Sequence, residues 1–378
     1  MSDREGIWQR KLATQLAVGW LFVCFCVGLF ARFQHTAGSD DAPEVIQIAE
    51  RLAVVGRYSQ GLTPEVSQRL LEMAEDIEEQ PQAEAVIRGE KPRETSQLSA
   101  VYKLMADELN ESDLKRKAQL ENIAAEGVRR FQITAGLLAL LGLISLLSFL
   151  GPKVEESPPA KMTTFSAVGV LGIFFLWDVV GFVGLGSFVG LLAPHVDRFS
   201  LILVTQVLLY GLMIAILSQS GLRKDATCFR KFSASWIGRG YFAALATVFV
   251  VNFLTTALSG HPPKSENPVL ALFAGAPSWK IAMLGALVVF VGPFFEEVIF
   301  RGWLFGGLRE KWGDTPALLL SSALFALIHG DAPGLPALFA LGMIFGWVYR
   351  RSGSLWASIT VHGFWNATTF ALLISVMP

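Results

Sequence analysis

Six polar residues in the last third of the chain combine chemically capable types with regular spacing: Glu296, Glu297, Arg301, His329, His362 and Asn366. Each lies in or beside a long apolar run, where an ionisable group costs about 2.5–3.5 kcal/mol on insertion scales and so needs a reason. In Phe294-Phe295-Glu296-Glu297-Val298-Ile299-Phe300-Arg301, Glu297 and Arg301 are four residues apart. On a helix they are neighbours on one face, in the favourable acid-to-base order, and neutralise one another. Glu296 lies about 100° round the helix and cannot share that pair equally. It is left as a carboxyl in apolar surroundings, the kind of group that serves as a general base. A structural ion pair with a spare acid at an interface is the plain alternative.

His329 closes the apolar run 317–328, where a histidine acts as a cap, a packing group or a catalyst. His362 and Asn366 put an imidazole and an amide on one helical face. Such a pair suits a pocket that binds a metal or donates hydrogen bonds to an oxyanion. It also suits a hydrogen bond between two helices. The six residues fall on three nearby apolar blocks, and the whole chain has only five histidines.

The set Glu296-Glu297-x-x-x-Arg301, Phe325-x-x-x-His329 and His362-x-x-x-Asn366 resembles the three-motif signature of the CAAX-prenyl-protease and bacteriocin-processing (CPBP, or Abi) intramembrane proteases. The motifs stand in family order and cover about 290–366, within a region (131–378) that matches the family's membrane core in size. The resemblance implies that Glu296 and His329 activate a water for attack on a peptide carbonyl. It implies that His362 and Asn366 stabilise the oxyanion, and that Glu297 and Arg301 support the geometry. A zinc reading takes Glu296, His329 and His362 as three ligands with one open position. A metal-free glutamate mechanism uses the same side chains, and both stay open. The expected substrate is a membrane-associated protein or peptide, lipidated if the chain follows the prenyl-protease branch. Two readings compete with an endopeptidase: a catalytically inactive scaffold or regulator of the same fold, serving bacteriocin immunity or partner binding, and a transporter. Against a transporter, the polar residues cluster in one half and no clear inverted repeat relates the halves.

The elements that must position these residues are membrane helices. The chain has 378 residues, 52% of them hydrophobic and 17% charged, with a mean hydropathy of +0.48. An ordinary soluble domain carries about 25% charge. The net charge of −1 makes no case for nucleic acid. Of the three cysteines, Cys24 and Cys26 sit in the first apolar block and Cys228 in a basic loop, which indicates neither a disulfide framework nor a zinc knuckle.

Residues 12–31 form the first apolar block, read as an uncleaved anchor rather than a signal peptide because no small-residue cleavage site follows. Residues 35–130 are rich in Glu, Gln, Arg and Ala, with Thr63-Pro64-Glu65 opening one amphipathic helix and a second over about 95–128. They read as a small helical extramembrane module, a candidate docking site for a protein partner. Apolar blocks then recur at about 131–151, 163–193, 201–218, 240–259, 279–310, 315–330, 335–350 and 355–376. The expected fold is all-α: a polytopic membrane helix bundle with an anchor (1–34), the module (35–130) and an eight-span protease-like core (131–378). Gly292-Pro293 should kink or break the fifth core span. Asp178, Gln206 and Asn252 read as polar contacts between helices, Asp178 with the added option of lining a substrate cavity.

Loop charge sets the orientation. The 219–239 loop carries Arg223, Lys224, Arg230, Lys231 and Arg239, which places it in the cytoplasm. Lys153, Lys161, Arg309, Lys311, Arg350, Arg351 and the N-terminus then share that side, in what reads as a bacterial plasma membrane. Arg129-Arg130 are the misfit, lying beside a span on the side expected to be poor in positive charge.

Overall fold

The computed structural model describes residues 111–151, 165–181, 198–219, 229–260 and 278–376, with isolated positions at 81–82, 93 and 156. The expected anchor at 12–31 and the helix opened by Thr63-Pro64-Glu65 lie outside the described residues. In chain order the helices are α1 (Glu111–Leu150), α2 (Ala167–Val179), α3 (Arg198–Gln219) and α4 (Ser235–Ser259), then α5 (Ser278–Trp312), α6 (Asp314–Leu327), α7 (Leu335–Ser352) and α8 (Leu355–Val376). Among the described residues the regular structure is helical throughout, and the chain is an all-α membrane protein. Among the described residues three stretches are both long and apolar enough to cross a bilayer, 125–150, 235–259 and 278–312. α2, α6 and residues 199–215 of α3 are shorter apolar helices.

The chain divides into two compact units, one of which holds residues 138–370 and the other the described residues up to 137 together with those from 371 onward. α1 is a single helix that passes through residue 130, the boundary expected between the extramembrane module and the core. In the larger unit the core centres on α5. Residues Ile299 to Leu308 are buried without interruption, and Trp303, Phe300 and Phe305 pack with Phe174 of α2, Phe325 of α6, and Phe345 and Tyr349 of α7. The outward faces are apolar instead of charged: Phe249 and Leu258 of α4 are 73% and 88% exposed. A helix wet on that face would carry polar residues there; these meet lipid tails.

α5 and α6 are joined by one residue, Gly313, at φ 81° and ψ 174°. A side chain there would be strained, so glycine permits the sharp reversal. At this end of the bundle the basic loops come together. Arg230 Nε donates to the Gly353 carbonyl at 3.0 Å, and Arg239 Nη2 donates to the Gly151 carbonyl at 3.0 Å. Asp314 bridges Arg309, at 3.0 Å, and Arg350, at 2.7 Å. Arg351 pairs with Glu156. These contacts gather on one face the ends that loop charge assigns to one side.

Gly292-Pro293 does not break α5. The helix continues to Trp312 and instead opens into two wide π-helical stretches, Leu287–Val291 and Val298–Phe305, on either side of the Gly292–Glu297 turn. The reason is local. Gly292 N–H donates to the Leu287 carbonyl, five residues back, which sets a π register. In that register residue 293 would donate to the Val288 carbonyl, but Pro293 has no N–H. The strain of proline is taken up by a wider turn, and one carbonyl is left needing a donor.

Candidate active site

That carbonyl is where the site begins. Asn366 of α8 donates from Nδ2 to the Val288 oxygen at 2.8 Å. Three residues earlier on α8, Gly363 lies so close to α5 that a Cβ would stand 2.8 Å from the Val289 carbonyl oxygen. The close approach needs a glycine, and it brings His362 against the acidic pair of α5.

Glu297 and Arg301 form the expected pair, Nη1 to Oε1 at 2.8 Å, with side chains 0% and 1% exposed. Arg301 also donates from Nη2 to the Gly342 carbonyl of α7 at 2.9 Å. Its guanidinium stacks over Phe325, 4.6 Å from the ring centroid, and over Phe345 at 5.5 Å. These rings and hydrogen bonds replace much of the hydration that a buried guanidinium loses. The third member of this group was a candidate in the sequence, but its bond to Glu297 was not foreseen. His362 Nδ1 lies 3.0 Å from Glu297 Oε1. A carboxylate oxygen only accepts, so Nδ1 carries the proton, and Glu297 fixes both the tautomer and the ring plane. Phe345 stacks on the imidazole at 4.4 Å with a 20° interplanar angle.

With Nδ1 committed, His362 Nε2 turns to Glu296, 3.8 Å from Oε2. The Glu296 side chain keeps 21% of its surface exposed whereas Glu297 has none, so the two adjacent acids do different work. Glu297 is a fixed internal counter-ion; the Glu296 side chain is part-exposed. Its other oxygen, Oε1, faces Gly292 and Tyr210 of α3, and the Tyr210 hydroxyl stands within hydrogen-bonding reach of the carboxyl. Tyr210 was not singled out in the sequence, since a lone tyrosine in an apolar helix forms no pattern.

His329 sits in the turn just after α6. Its Nδ1 lies 2.6 Å from the Phe325 carbonyl, so that nitrogen is the donor and Nε2 is a free acceptor. No hydrogen bond or ion pair joins His329 to Glu296 among the described residues. The Phe325 ring touches both imidazoles, at 4.7 Å from His329 and 5.8 Å from His362. The structure thus brings Glu296, Glu297, Arg301 and His362 into direct contact. Asn366 and His329 are held beside them by backbone carbonyls.

A catalytic zinc needs three protein ligands about one point. Among the described residues no three His, Cys, Asp or Glu side chains gather in that way. Glu296 and His362 offer two, and His329 is not joined to them, so the donor set does not fit zinc in this geometry.

Comparison with known proteins covers the same stretch of chain. Residues 277–368, which contain all six, match the family described as Type II CAAX prenyl endopeptidase Rce1-like. The chain is 31% identical over 148 residues to the Bacillus subtilis (strain 168) protein named "Putative membrane peptidase YdiL", covering 39% of this chain and 58% of that one. It is 27% identical over 168 residues to the "Membrane-embedded CAAX protease MroQ" of Staphylococcus aureus (strain USA300), covering 43% and 66%. The chain therefore spans less than two thirds of the length of each of these relatives. No solved structure matches it. An ordered set of acid, histidine and amide motifs, assembled on three helices around a buried ion pair, coincides with the stretch over which this chain is similar to the CAAX-protease family of membrane proteins.

Proposed function

We propose that the chain is an intramembrane endopeptidase in which Glu296 is the general base. The observation that carries this is the division of labour between the two adjacent acids: Glu297 is fully buried with Oε1 shared by Arg301 and His362, while Glu296 stays 21% exposed with Oε2 3.8 Å from His362 Nε2. A water held between Glu296 Oε2 and the histidines loses a proton to the carboxylate and attacks the peptide carbonyl. His329 Nε2 is a second acceptor for that water. The developing oxyanion takes the N–H of Asn366 that is not given to Val288, and an N–H from His362 Nε2 when the imidazole is doubly protonated. Each such donor is worth about 3–4 kcal/mol where it has been removed from other proteases. The proton then passes from Glu296 to the leaving amine. These side chains suffice without a metal.

The substrate we propose is a membrane-associated peptide or protein reaching the site from the bilayer, lipidated or not. The basic end of the bundle, where Arg230, Arg239, Arg309 and Arg350 meet, faces the cytoplasm of a bacterial plasma membrane. Cleavage of a membrane-peptide library by purified wild type and by Glu296→Gln, each with and without a chelator, tests the reading. Turnover in the wild type, its loss in the variant and indifference to the chelator are expected. Sensitivity to the chelator would replace the bare-glutamate mechanism with a metal one. No cleavage by either protein would leave the scaffold as the better description.

A further inference from the structure

Resting on the peptidase reading, we infer that Tyr210 is a positioning residue for the base: its hydroxyl holds Glu296 Oε1 so that Oε2 is the oxygen presented to the reacting water. Three observations converge on it. Measured from a Cβ position built on Gly292, Glu296 Oε1 lies at 3.4 Å and Tyr210 Oη at 3.5 Å, so both oxygens border the same glycine, and the hydroxyl is within hydrogen-bonding reach of the carboxyl. On the opposite side of the carboxyl, Oε2 faces His362 Nε2 at 3.8 Å. The Tyr210 ring is itself held: it stacks on Phe295 with centroids 4.6 Å apart and 12° between planes. The residue before it is pinned from α2, where Trp177 Nε1 donates to the Leu209 carbonyl at 3.1 Å.

The chemistry follows from the inventory of donors. A carboxylate cannot donate, so the phenol does, and Oε1 is the oxygen it occupies. A free glutamate at a helix surface rotates between rotamers, and a displaced base forfeits alignment with its substrate. Tyr210 removes that freedom. The aromatic stack holds the hydroxyl in the middle of α3 and not at either end.

Tyr210→Phe keeps the ring and its stack and deletes only the oxygen. Three quantities are measured on the full chain in detergent: unfolding temperature, steady-state peptide cleavage, and the rate at which dicyclohexylcarbodiimide labels Glu296, read by mass spectrometry. The unfolding temperature is expected to stay at the wild-type value and KM within about threefold, while kcat falls by about tenfold to a hundredfold. Labelling of Glu296 should become severalfold faster, because its carboxyl loses a hydrogen-bond partner. An unchanged kcat, or a loss of kcat that tracks a lower unfolding temperature, overturns the inference. Labelling needs no turnover. If the wild type cleaves nothing, the peptidase reading fails on its own, and an unchanged labelling rate overturns the Tyr210 contact separately.

Discussion

Glu297 Oε1 accepts His362 Nδ1 at 3.0 Å across 65 residues of chain, and the same oxygen accepts Arg301 Nη1 at 2.8 Å. One buried carboxylate oxygen thereby ties α5 to α8 directly and, through Arg301 and the Gly342 carbonyl, to α7. The pair contributes chiefly when whole. Two partnered charges inside a bundle roughly offset their desolvation, whereas one charge left alone does not.

Arg301→Ala should therefore lower stability by about 3–5 kcal/mol, the cost of a stranded buried partner. Glu296→Gln should leave stability within about 0.5 kcal/mol, because Glu296 keeps 21% exposure and is not part of that pair. Urea or thermal unfolding in detergent compares the two. A stable Arg301→Ala protein would refute the account of the network.

Asn366 answers a carbonyl that Pro293 orphans, so the two positions should be coupled. Asn366→Ala in the natural background should cost about 1–3 kcal/mol, the penalty for an unsatisfied buried acceptor. In a Pro293→Ala background the new N–H can serve Val288, and the same change should cost less. A double-mutant cycle with zero coupling energy would contradict this origin of the wide turn.

Gly363→Ala adds one methyl group, 2.8 Å from the Val289 carbonyl oxygen. Overpacking of this kind costs about 1–3 kcal/mol, and here it must push α8 from α5 and move His362 off Glu297. Peptidase activity should fall further than stability alone explains. The check is activity measured well below the unfolding temperature.

At the basic end, Asp314 is subject to burial, which raises its pKa, and to hydrogen bonds and charge from Arg350 and Arg309, which lower it; the net position is below the usual aspartate value. A depressed folded pKa gives stability that is complete above the unfolded value of about 3.9 and is lost as pH falls through the lower folded value. Asp314→Asn should remove that component. Its stability difference from wild type should be constant at neutral pH and shrink below about pH 4. A difference that grows on acidification would reverse the sign of the argument.

The helices and the Glu297–Arg301 pair were legible in the sequence, because apolar run length and a four-residue spacing are local quantities. The contacts that make the pair useful were not. His362 approaches Glu297 through the absence of a side chain at Gly363, and nothing in the spacing of α8 tells which carbonyls it will meet. Tyr210 was illegible for a similar reason: its partner is 86 residues away in the chain. Gly292-Pro293 was read as a kink or break, since the rule for proline speaks of a lost hydrogen bond and not of the wider register that accommodates the loss. The basic ends were legible as a group, and Asp314 shows how they meet.

A π turn is an α-helical turn that has taken in an extra residue. The two wide stretches of α5 thus make the direction in which Glu296 and Glu297 point a matter of counting. Removing one residue between 287 and 291 would let the turn relax to ordinary pitch and swing everything after it by about 100°, carrying the acids away from α8 without altering one of their atoms. No substitution elsewhere restores such an angle. This helix should therefore tolerate many exchanges of one apolar residue for another while refusing any change in its length.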